Sequence, residues 1–211
     1  MPLNDREIVH YRAKGLIVIE PFRKSSLGSD TYDVRLGEWF FREQSPLDGG
    51  VYNILDERHV HRVWGSPEPA IRAPKSLGWR RGSRVIWIYP GETLLAHTVE
   101  FIGARRGFTT KMFSRSSIGR SLLGVCKCAG RGDVGYFNRW TMEITSFSRF
   151  HRIPLRVGMR IGQIEFLPVT ETVSRIYGKT HGKYQSSDDL DNVISSWAPE
   201  MMLPKLWMDK S

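Results

Sequence analysis

Between residues 84 and 169 the chain is a succession of short apolar segments, rich in β-branched and aromatic residues, that are separated by turn-forming residues. The segments are RVIWIYP, TLLAHTVEFI, TTKMFS, GVCKCA, RWTMEITSFS and RIGQIEFLPV. The residues between them include Pro90-Gly91, Gly107, Gly130, Gly135 and Gly158. Short strands at this spacing predict an all-β sandwich or barrel.

The N-terminal part carries other local patterns. Residues 4–14 are predicted to form a helix, because Asn4 can cap it, acids follow in the first turn, and Gly15 is a typical stop. GLIVIEPF and YDVRLGEWFF are read as two strands. Residues 44–84 are expected to be irregular with one or two short strands, and SSIGRSLLG to be a short helical break.

Composition sets the class of protein. Of 211 residues, 40% are apolar and 25% are charged, which is an ordinary globular balance. There is no apolar run of about 18 residues, and the charged N-terminus lacks a signal-peptide core, so we expect a cytoplasmic protein without a membrane span. Cys126 and Cys128 are too close in sequence for an unstrained disulfide, and we read them as reduced, on a strand, facing one side.

The net charge of +9 favours an anionic partner, either a nucleoside triphosphate or nucleic acid. The basic residues are spread along the chain and do not form a tail, which argues against a nucleic-acid-binding arm.

Two polar clusters are candidates for chemistry. SRSSIGR places arginines and hydroxyls, which suit phosphate oxygens, at a possible helix start, although a serine cap with solvent-exposed arginines explains the same residues. AGRGDVGYFNRWTMEI carries Asp133 in a turn and Glu143 inside an alternating strand. Glu143 is either a solvated strand carboxylate or a buried one, whose raised pKa would suit a proton shuttle.

Six segments in order resemble the dCTP deaminase and dUTPase family. They are SDTYDVRLG, PGETLLAHTVEFI, SRSSIGR, the block from Val125 to Glu143, PLRVGMRIGQIEF, and KYQ at 183–185. The resemblance covers residues 1–190, which we take as one dCTP deaminase-like domain. Residues 191–211 remain as a C-terminal tail, expected to be mobile unless it packs on a partner or a ligand.

The resemblance implies a distorted β-barrel of the dUTPase type, assembled as a homotrimer with active sites between subunits. It also implies hydrolytic deamination of dCTP, or a close deoxycytidine nucleotide, to dUTP and ammonia. By analogy Glu143 is the general base, and Ser116 and Arg120 of a neighbouring subunit hold the attacking water and the carboxylate. Ala129 would crowd the leaving-group side, and Arg131 would lie close to the base.

The same analogy assigns the remaining contacts. Asp133 would bind the 3′-hydroxyl, and Tyr136 would pack on the deoxyribose. Arg115, Ser117, Tyr177 and Lys183 would hold the phosphates, which Mg²⁺ would bridge. Gln185, in the tail motif KYQ, would also bind the substrate. Zinc deaminases carry H-x-E and P-C-x-x-C, which this chain lacks, so no zinc is expected and Glu143 must activate the water.

Alternatives remain open. The chain departs from the family pattern at Gly132, Asn138, Trp140 and Ser187, so the identity of the base is open, including a cytosine with a 5-substituent. A dUTP pyrophosphatase, or a bifunctional enzyme giving dUMP, shares most of the site. The third alternative is not an enzyme: a non-catalytic nucleotide-sensing or nucleic-acid-binding protein on the same scaffold. The net charge of +9 and the tryptophans Trp197 and Trp207 would support it.

Overall fold

The computed structural model describes residues 1–46, 50–170, 176–177, 182–185 and 187–209. The strands are β1 Ile17–Glu20, β2 Tyr32–Arg42, β3 Glu68–Pro69, β4 Ile71–Arg72, β5 Arg84–Ile88, β6 Thr93–Ala104, β7 Phe108–Ser114, β8 Leu123–Gly124, β9 Arg131–Gly132, β10 Phe137–Ser146, β11 Ile153–Arg156 and β12 Arg160–Pro168. The α-helices are α1 Asp5–Ala13, α2 Glu57–Trp64, α3 Ser116–Arg120 and α4 Leu190–Ser196, and 3₁₀ turns lie at Lys24–Ser26, Lys75–Leu77, Pro199–Met202 and Leu206–Met208. Within these ranges no helix is long and apolar enough to cross a membrane.

Helix α1 begins where the sequence predicts, because Asn4 and Glu7 form a capping box. The Asn4 side chain accepts the Glu7 N–H at 3.0 Å, and the Glu7 carboxylate accepts the Asn4 N–H at 2.9 Å. After the helix, Gly15 takes a φ of +70°, a conformation that favours glycine. The strand that follows, β1, is also confirmed.

Most strands belong to one antiparallel sheet. Its hydrogen-bonded path runs β8-β10-β6-β2-β12-β7-β9, with β1 added to β6 and β3 added to β2, and a smaller sheet has the order β11-β5-β4. The prediction of a mainly β fold with short helices is therefore confirmed.

The two faces of the larger sheet are buried in different ways. Along β10, Trp140, Met142 and Ile144 are buried in the main core, together with Leu94 and Ala96 of β6. The residues between them, such as Thr141 and Glu143, point to the opposite face, because side chains alternate along a strand. We call this opposite side the outer face.

The outer face is covered by the chain itself. Phe41 of β2 and Leu95 of β6 pack there against Val60 of α2 and against Met202 and Leu203 of the C-terminal segment, in a cluster separate from the main core. Residues 191–209 therefore pack on their own sheet, whereas the sequence predicted a mobile tail unless it met a partner or ligand.

Trp197 anchors the C-terminal segment to the sheet. Its ring centroid lies 4.6 Å from that of His97, and the Arg139 guanidinium carbon lies 4.4 Å from the Trp197 ring centroid. Next to it, Val193 of α4 packs with Phe101 and other buried outer-face residues. Trp207 joins the cluster around Phe41. Both tryptophans are therefore engaged within the chain.

The structure differs from the sequence expectation in the segment 44–84, which contains α2. Asp56 caps this helix by accepting the Arg58 N–H at 2.9 Å, and Gly65 ends it with a φ of +63°. The predicted short strands are present as β3 and β4. The cap, followed by Val60 and Trp64 four residues apart, is the sequence pattern that could have revealed the helix.

The predicted strand GVCKCA is wrong beyond Gly124. Leu123 and Gly124 pair with β10, but Cys126 and Cys128 follow outside any strand. The chain turns away from the ladder here, so that the Lys127 N–H reaches the Glu143 carboxylate at 3.3 Å. The cysteines are not disulfide-bonded, Cys126 being partly buried and Cys128 exposed.

We predict that His97 makes the stability of the fold depend on pH. Burial lowers the pKa of His97 from 6.5 to about 4, so the folded protein keeps this imidazole neutral while the unfolded chain protonates it below about 6.5. The free energy of unfolding should therefore fall by about 3 kcal/mol from this group as the pH drops from 6.5 to 4. Denaturant unfolding at pH 7.5 and pH 4.5 measures it.

The matched pair of variants is His97→Asn and His151→Asn, since His151 is exposed. His97→Asn should lose this part of the pH dependence and His151→Asn should retain it. Equal pH dependence in the wild type and in His97→Asn would contradict the assignment.

Candidate active site

A cavity of about 680 Å³ opens on the outer face of the sheet. Its size lies in the range of small-molecule sites, about 300–1,000 Å³. The lining residues are Tyr52, Ile54, Trp64, Leu95, Ala129, Arg131, Gly132, Asp133, Tyr136, Trp140, Thr141, Glu143, Tyr177, Lys183, Tyr184, Met202, Pro204, Lys205 and Leu206. Seven predicted site residues therefore share one cavity: Ala129, Arg131, Asp133, Tyr136, Glu143, Tyr177 and Lys183.

Glu143 is the carboxylate in this cavity that is withdrawn from bulk water. It is partly buried, and burial raises its pKa, opposed by backbone N–H groups that include that of Lys127. The sequence left a solvated and a buried glutamate open. The structure places the side chain on the outer face, in a cavity that shields it.

The approach of β9 to β10 brings Asp133 to the same cavity. A Cβ on Gly132 would lie 2.6 Å from Cζ2 of Trp140 and 2.4 Å from Oγ1 of Thr110, so this position accepts only glycine without displacing its neighbours. The bulky Trp140 and the small Gly132 are therefore complementary in size. Asp133 follows directly and is exposed in the cavity wall.

Two tyrosines form an aromatic corner beside Asp133. The rings of Tyr136 and Tyr177 meet edge to face with their centroids 5.2 Å apart. Burial raises the pKa of both phenols, so both stay neutral at physiological pH. The backbone N–H of Tyr177 donates to the Val134 carbonyl at 2.9 Å, which fixes this short piece of chain against the site.

Lys183 and Gln185, from the predicted tail motif, have different surroundings. Lys183 lines the cavity and forms an ion pair with Asp209, both side chains being partly exposed. Gln185 is buried outside the lining, where it accepts the Phe137 N–H at 2.8 Å and donates to the Gly135 carbonyl at 3.0 Å. Its side chain thus ties the tail motif to β10.

The predicted residues of SRSSIGR lie elsewhere on the chain. Ser116, Ser117 and Arg120 are exposed on α3 and do not line the cavity. Arg115, which precedes α3, is 3.3 Å from the Asp33 carboxylate. Within one chain, the structure does not bring these residues to Glu143.

Arg115 instead lines a second cavity of about 440 Å³, which we call the arginine pocket. Its basic residues are Arg23, Arg35, Arg115, Arg156 and Arg160. Asp33 pairs with two of them, at 3.3 Å from Arg115 and 3.0 Å from Arg160, and the buried Arg35 pairs with Glu100 at 2.5 Å. Five guanidinium groups against two carboxylates leave a strongly positive surface that suits phosphate oxygens.

The residues that close the main cavity on its apolar side are not predicted by any pattern in the sequence. Ile54 and Trp64 come from the segment around α2, and Met202 and Leu206 come from the C-terminal segment. Lys205 also lines the cavity, and its ammonium donates to the Lys183 carbonyl at 2.8 Å. None of these residues belongs to a recognisable motif, although the apolar stretch SSWAPEMMLPKLW marked the C-terminal segment as unusual for a solvated tail.

Among the described residues, no three or more His, Cys, Asp and Glu side chains are grouped so that they could hold a metal ion. The cations Arg131, Lys183 and Lys205 line the cavity, an arrangement that suits an anionic ligand.

Curated proteins similar to this chain come from several organisms. A protein of Nanoarchaeum equitans named "dCTP deaminase, dUMP-forming" is 29% identical over 192 residues, which are 87% of this chain and 92% of that protein. Proteins of the same name from Hydrogenobaculum sp. and Sulfurihydrogenibium sp. are 31% and 30% identical, over 82% and 88% of this chain and 86% and 92% of their own.

A solved structure shares the fold. The 2'-deoxycytidine 5'-triphosphate deaminase from Agrobacterium tumefaciens superposes with a TM-score of 0.56 at 17% sequence identity, over 78% of this chain and 47% of that chain. This chain thus spans about half the length of that protein. The family model described as dCTP deaminase-like matches residues 2–169, and with the relatives above it establishes that this chain belongs to the dCTP deaminase-like family.

Proposed function

We propose that this protein deaminates dCTP hydrolytically and then cleaves the triphosphate, so that dCTP and two waters give dUMP, ammonia and pyrophosphate. The observation that carries the proposal is the partly buried Glu143, with its raised pKa, in a cavity lined by Arg131 and Asp133. The sequence led to dUTP as the main product. The relatives are named dUMP-forming, which favours the bifunctional alternative.

In the deamination step Glu143 acts as the general base. Its carboxylate takes a proton from a water as the water oxygen bonds to C4 of cytosine, and it delivers this proton to the amino nitrogen, which leaves as ammonia when its bond to C4 breaks. The second proton of the water passes from the new hydroxyl to N3, so that the ring becomes uracil. The Lys127 N–H, 3.3 Å from Oε2, orients the carboxylate. Ala129 would crowd the leaving-group side, and Arg131 would lie beside the base.

The deoxyribose would lie between Asp133 and the aromatic corner. Asp133 can accept a hydrogen bond from the 3′-hydroxyl, and the neutral Tyr136 ring can pack against the sugar face where a 2′-hydroxyl would project. For the second step, Asp133 would orient a water toward the α-phosphorus. Its exposure in the cavity wall leaves the carboxylate accessible to such a water.

The triphosphate would extend toward Lys183 and Tyr177, with Mg²⁺ bound through the phosphate oxygens to neutralise their charge. The ion pair between Lys183 and Asp209 is partly exposed, so a phosphate can replace Asp209 at small cost. Arg115 and Ser117 would complete the phosphate contacts. Arg115 lines the arginine pocket, apart from the cavity of its own chain, so these contacts would come from a neighbouring subunit, and the positive surface of that pocket suits phosphate oxygens.

A second subunit is required to bring α3 to the cavity, and we propose a homotrimer. In one chain Ser116 and Arg120 lie outside the cavity, whereas the proposed mechanism needs them beside Glu143 and its water. Leu122 and Phe147, adjacent to α3, are 50% and 65% exposed and form an apolar surface suited to a subunit interface. Each site would then combine the cavity of one subunit with α3 of the next.

We predict that Glu143→Gln abolishes deamination and leaves nucleotide binding largely intact. The amide keeps the shape of the side chain but cannot accept the proton, so ammonia release from dCTP with Mg²⁺ should fall about 10²–10⁴-fold. Glu165→Gln is the matched control, because Glu165 lies on β12 outside the cavity. Unchanged ammonia release in Glu143→Gln would refute the assignment. Pyrophosphate, measured in parallel, distinguishes dUMP from dUTP formation.

We predict that deamination is lost at acid pH earlier than an ordinary glutamate would dictate. The base must be ionised, and burial raises the pKa of Glu143 above its usual range near 4.5. The acid limb of kcat/KM for dCTP should therefore lie above that value, with activity falling as the pH drops through it. An acid limb at or below 4.5, with the protein still folded, would argue against a shielded carboxylate.

We predict that two inactive variants restore activity when mixed, because the site is shared between subunits. Glu143→Gln supplies an intact α3 and Arg120→Ala supplies an intact cavity, so refolding them together should recover about a quarter of the wild-type activity in a randomly mixed cyclic trimer. Glu143→Gln mixed with Arg131→Ala is the control, since both changes affect the same cavity and no complete site forms. Recovery in neither mixture would contradict sites between subunits.

A further inference from the structure

Several apolar residues of the main cavity contact no part of the nucleotide in the reaction proposed above. They are Ile54, Trp64, Leu95, Met202 and Leu206, and we call the part of the cavity that they line the apolar chamber. Polar residues, among them Arg131, Asp133 and Lys183, line the same cavity. A cavity with both polar and apolar lining suits a ligand that has both polar and apolar groups.

The apolar chamber begins directly beside the proposed general base. Leu95 on β6 is the cross-strand partner of Glu143 on β10, and both side chains point to the outer face. Directly opposed residues in an antiparallel pair have their Cβ atoms about 4.5–5.5 Å apart. A group bound against Leu95 therefore lies next to the atoms on which Glu143 acts.

The chamber is part of the packed structure. Leu95 and Met202 are 6% and 3% exposed and belong to the same cluster as Phe41, Val60 and Leu203. Ile54 and Leu206, at 48% and 40% exposure, form its rim. The chamber thus has a fixed, water-poor floor and an open edge.

The proposed reaction limits which atom of the nucleotide faces this chamber. The sugar on N1 lies toward Asp133 and Tyr136, and C4 lies toward Glu143, so the ring axis from N1 to C4 runs along the cavity. N3 and the carbonyl at C2 lie on one side of that axis and C5 on the other. N3 and the carbonyl need hydrogen-bond donors, whereas C5 carries none of the ring's polar groups.

We propose that the apolar chamber is a subsite for an apolar substituent at C5 of the pyrimidine, so that the protein prefers a 5-alkylated deoxycytidine triphosphate to dCTP. The inference rests on the proposed function, because the position of C4 beside Glu143 orients the ring. A 5-methyl group placed against Leu95 and Met202 leaves water and loses no hydrogen bond.

The test compares the binding of 5-methyl-dCTP and dCTP, each with Mg²⁺, to the full-length Glu143→Gln protein by isothermal titration calorimetry. In this variant deamination does not consume the nucleotide. Burial of one methyl group should make 5-methyl-dCTP bind about fourfold more tightly. Equal binding, or weaker binding of the methylated nucleotide, would overturn the subsite.

A pair of further variants in the same background locates the effect. Ile54→Trp should fill the rim of the chamber and remove the preference for the methylated nucleotide. Ile71→Trp is the matched control, because Ile71 is 57% exposed on β4 and outside the cavity, and it should keep the fourfold ratio. A ratio that changes equally in both variants, or in neither, would contradict the assignment to this chamber.

Ammonia release from both nucleotides by the wild-type protein separates this inference from the proposed function. Deamination of dCTP without a binding preference would overturn the subsite and leave the function standing. A fourfold binding preference without any ammonia release would overturn the function while supporting the subsite. Failure to bind either nucleotide would overturn both.

Discussion

Glu143 lies on the face of the sheet that points away from the main core, and its withdrawal from bulk water depends on the elements that cover that face. Helix α2 and the C-terminal segment provide the cover through Val60, Met202 and Leu203, which pack on Leu95. The raised pKa of Glu143 follows from this burial. The contacts that hold this cover on the sheet, including those of Trp197 with His97 and Arg139, therefore also keep Glu143 shielded from water.

The charges of the protein are distributed in a way that matches its proposed ligand. Basic residues that look scattered in the sequence converge on the arginine pocket, while the main cavity holds fewer cations beside its two carboxylates. The cations of both cavities suit the oxygens of a triphosphate. The proposed mechanism requires assembly, because α3 lies outside the cavity and one chain alone does not bring Ser116 and Arg120 to Glu143.

Local patterns predicted a large part of the fold. The capping box at Asn4, the stop at Gly15 and the alternation along β10 all depend on neighbours close in sequence, and each has the predicted structure. The local patterns did not predict the structure where contacts between residues distant in sequence determine it. The strand expected through Cys126 ends where the chain turns toward Glu143. The C-terminal tail, expected to be mobile unless it packed on a partner or a ligand, packs on the sheet of its own chain.

The candidate site, like the fold, depends partly on local sequence and partly on contacts between distant residues. The sequence by itself determined the order and spacing of the motifs, the alternation that sets Glu143 opposite to Met142, and the family to which the chain belongs. Only the tertiary structure decided that the outer face is covered, that Gln185 ties down the tail motif, and that an apolar chamber lies beside Glu143. The reason is that burial arises from contacts such as Leu95 with Met202, between residues more than a hundred positions apart, which no local periodicity encodes.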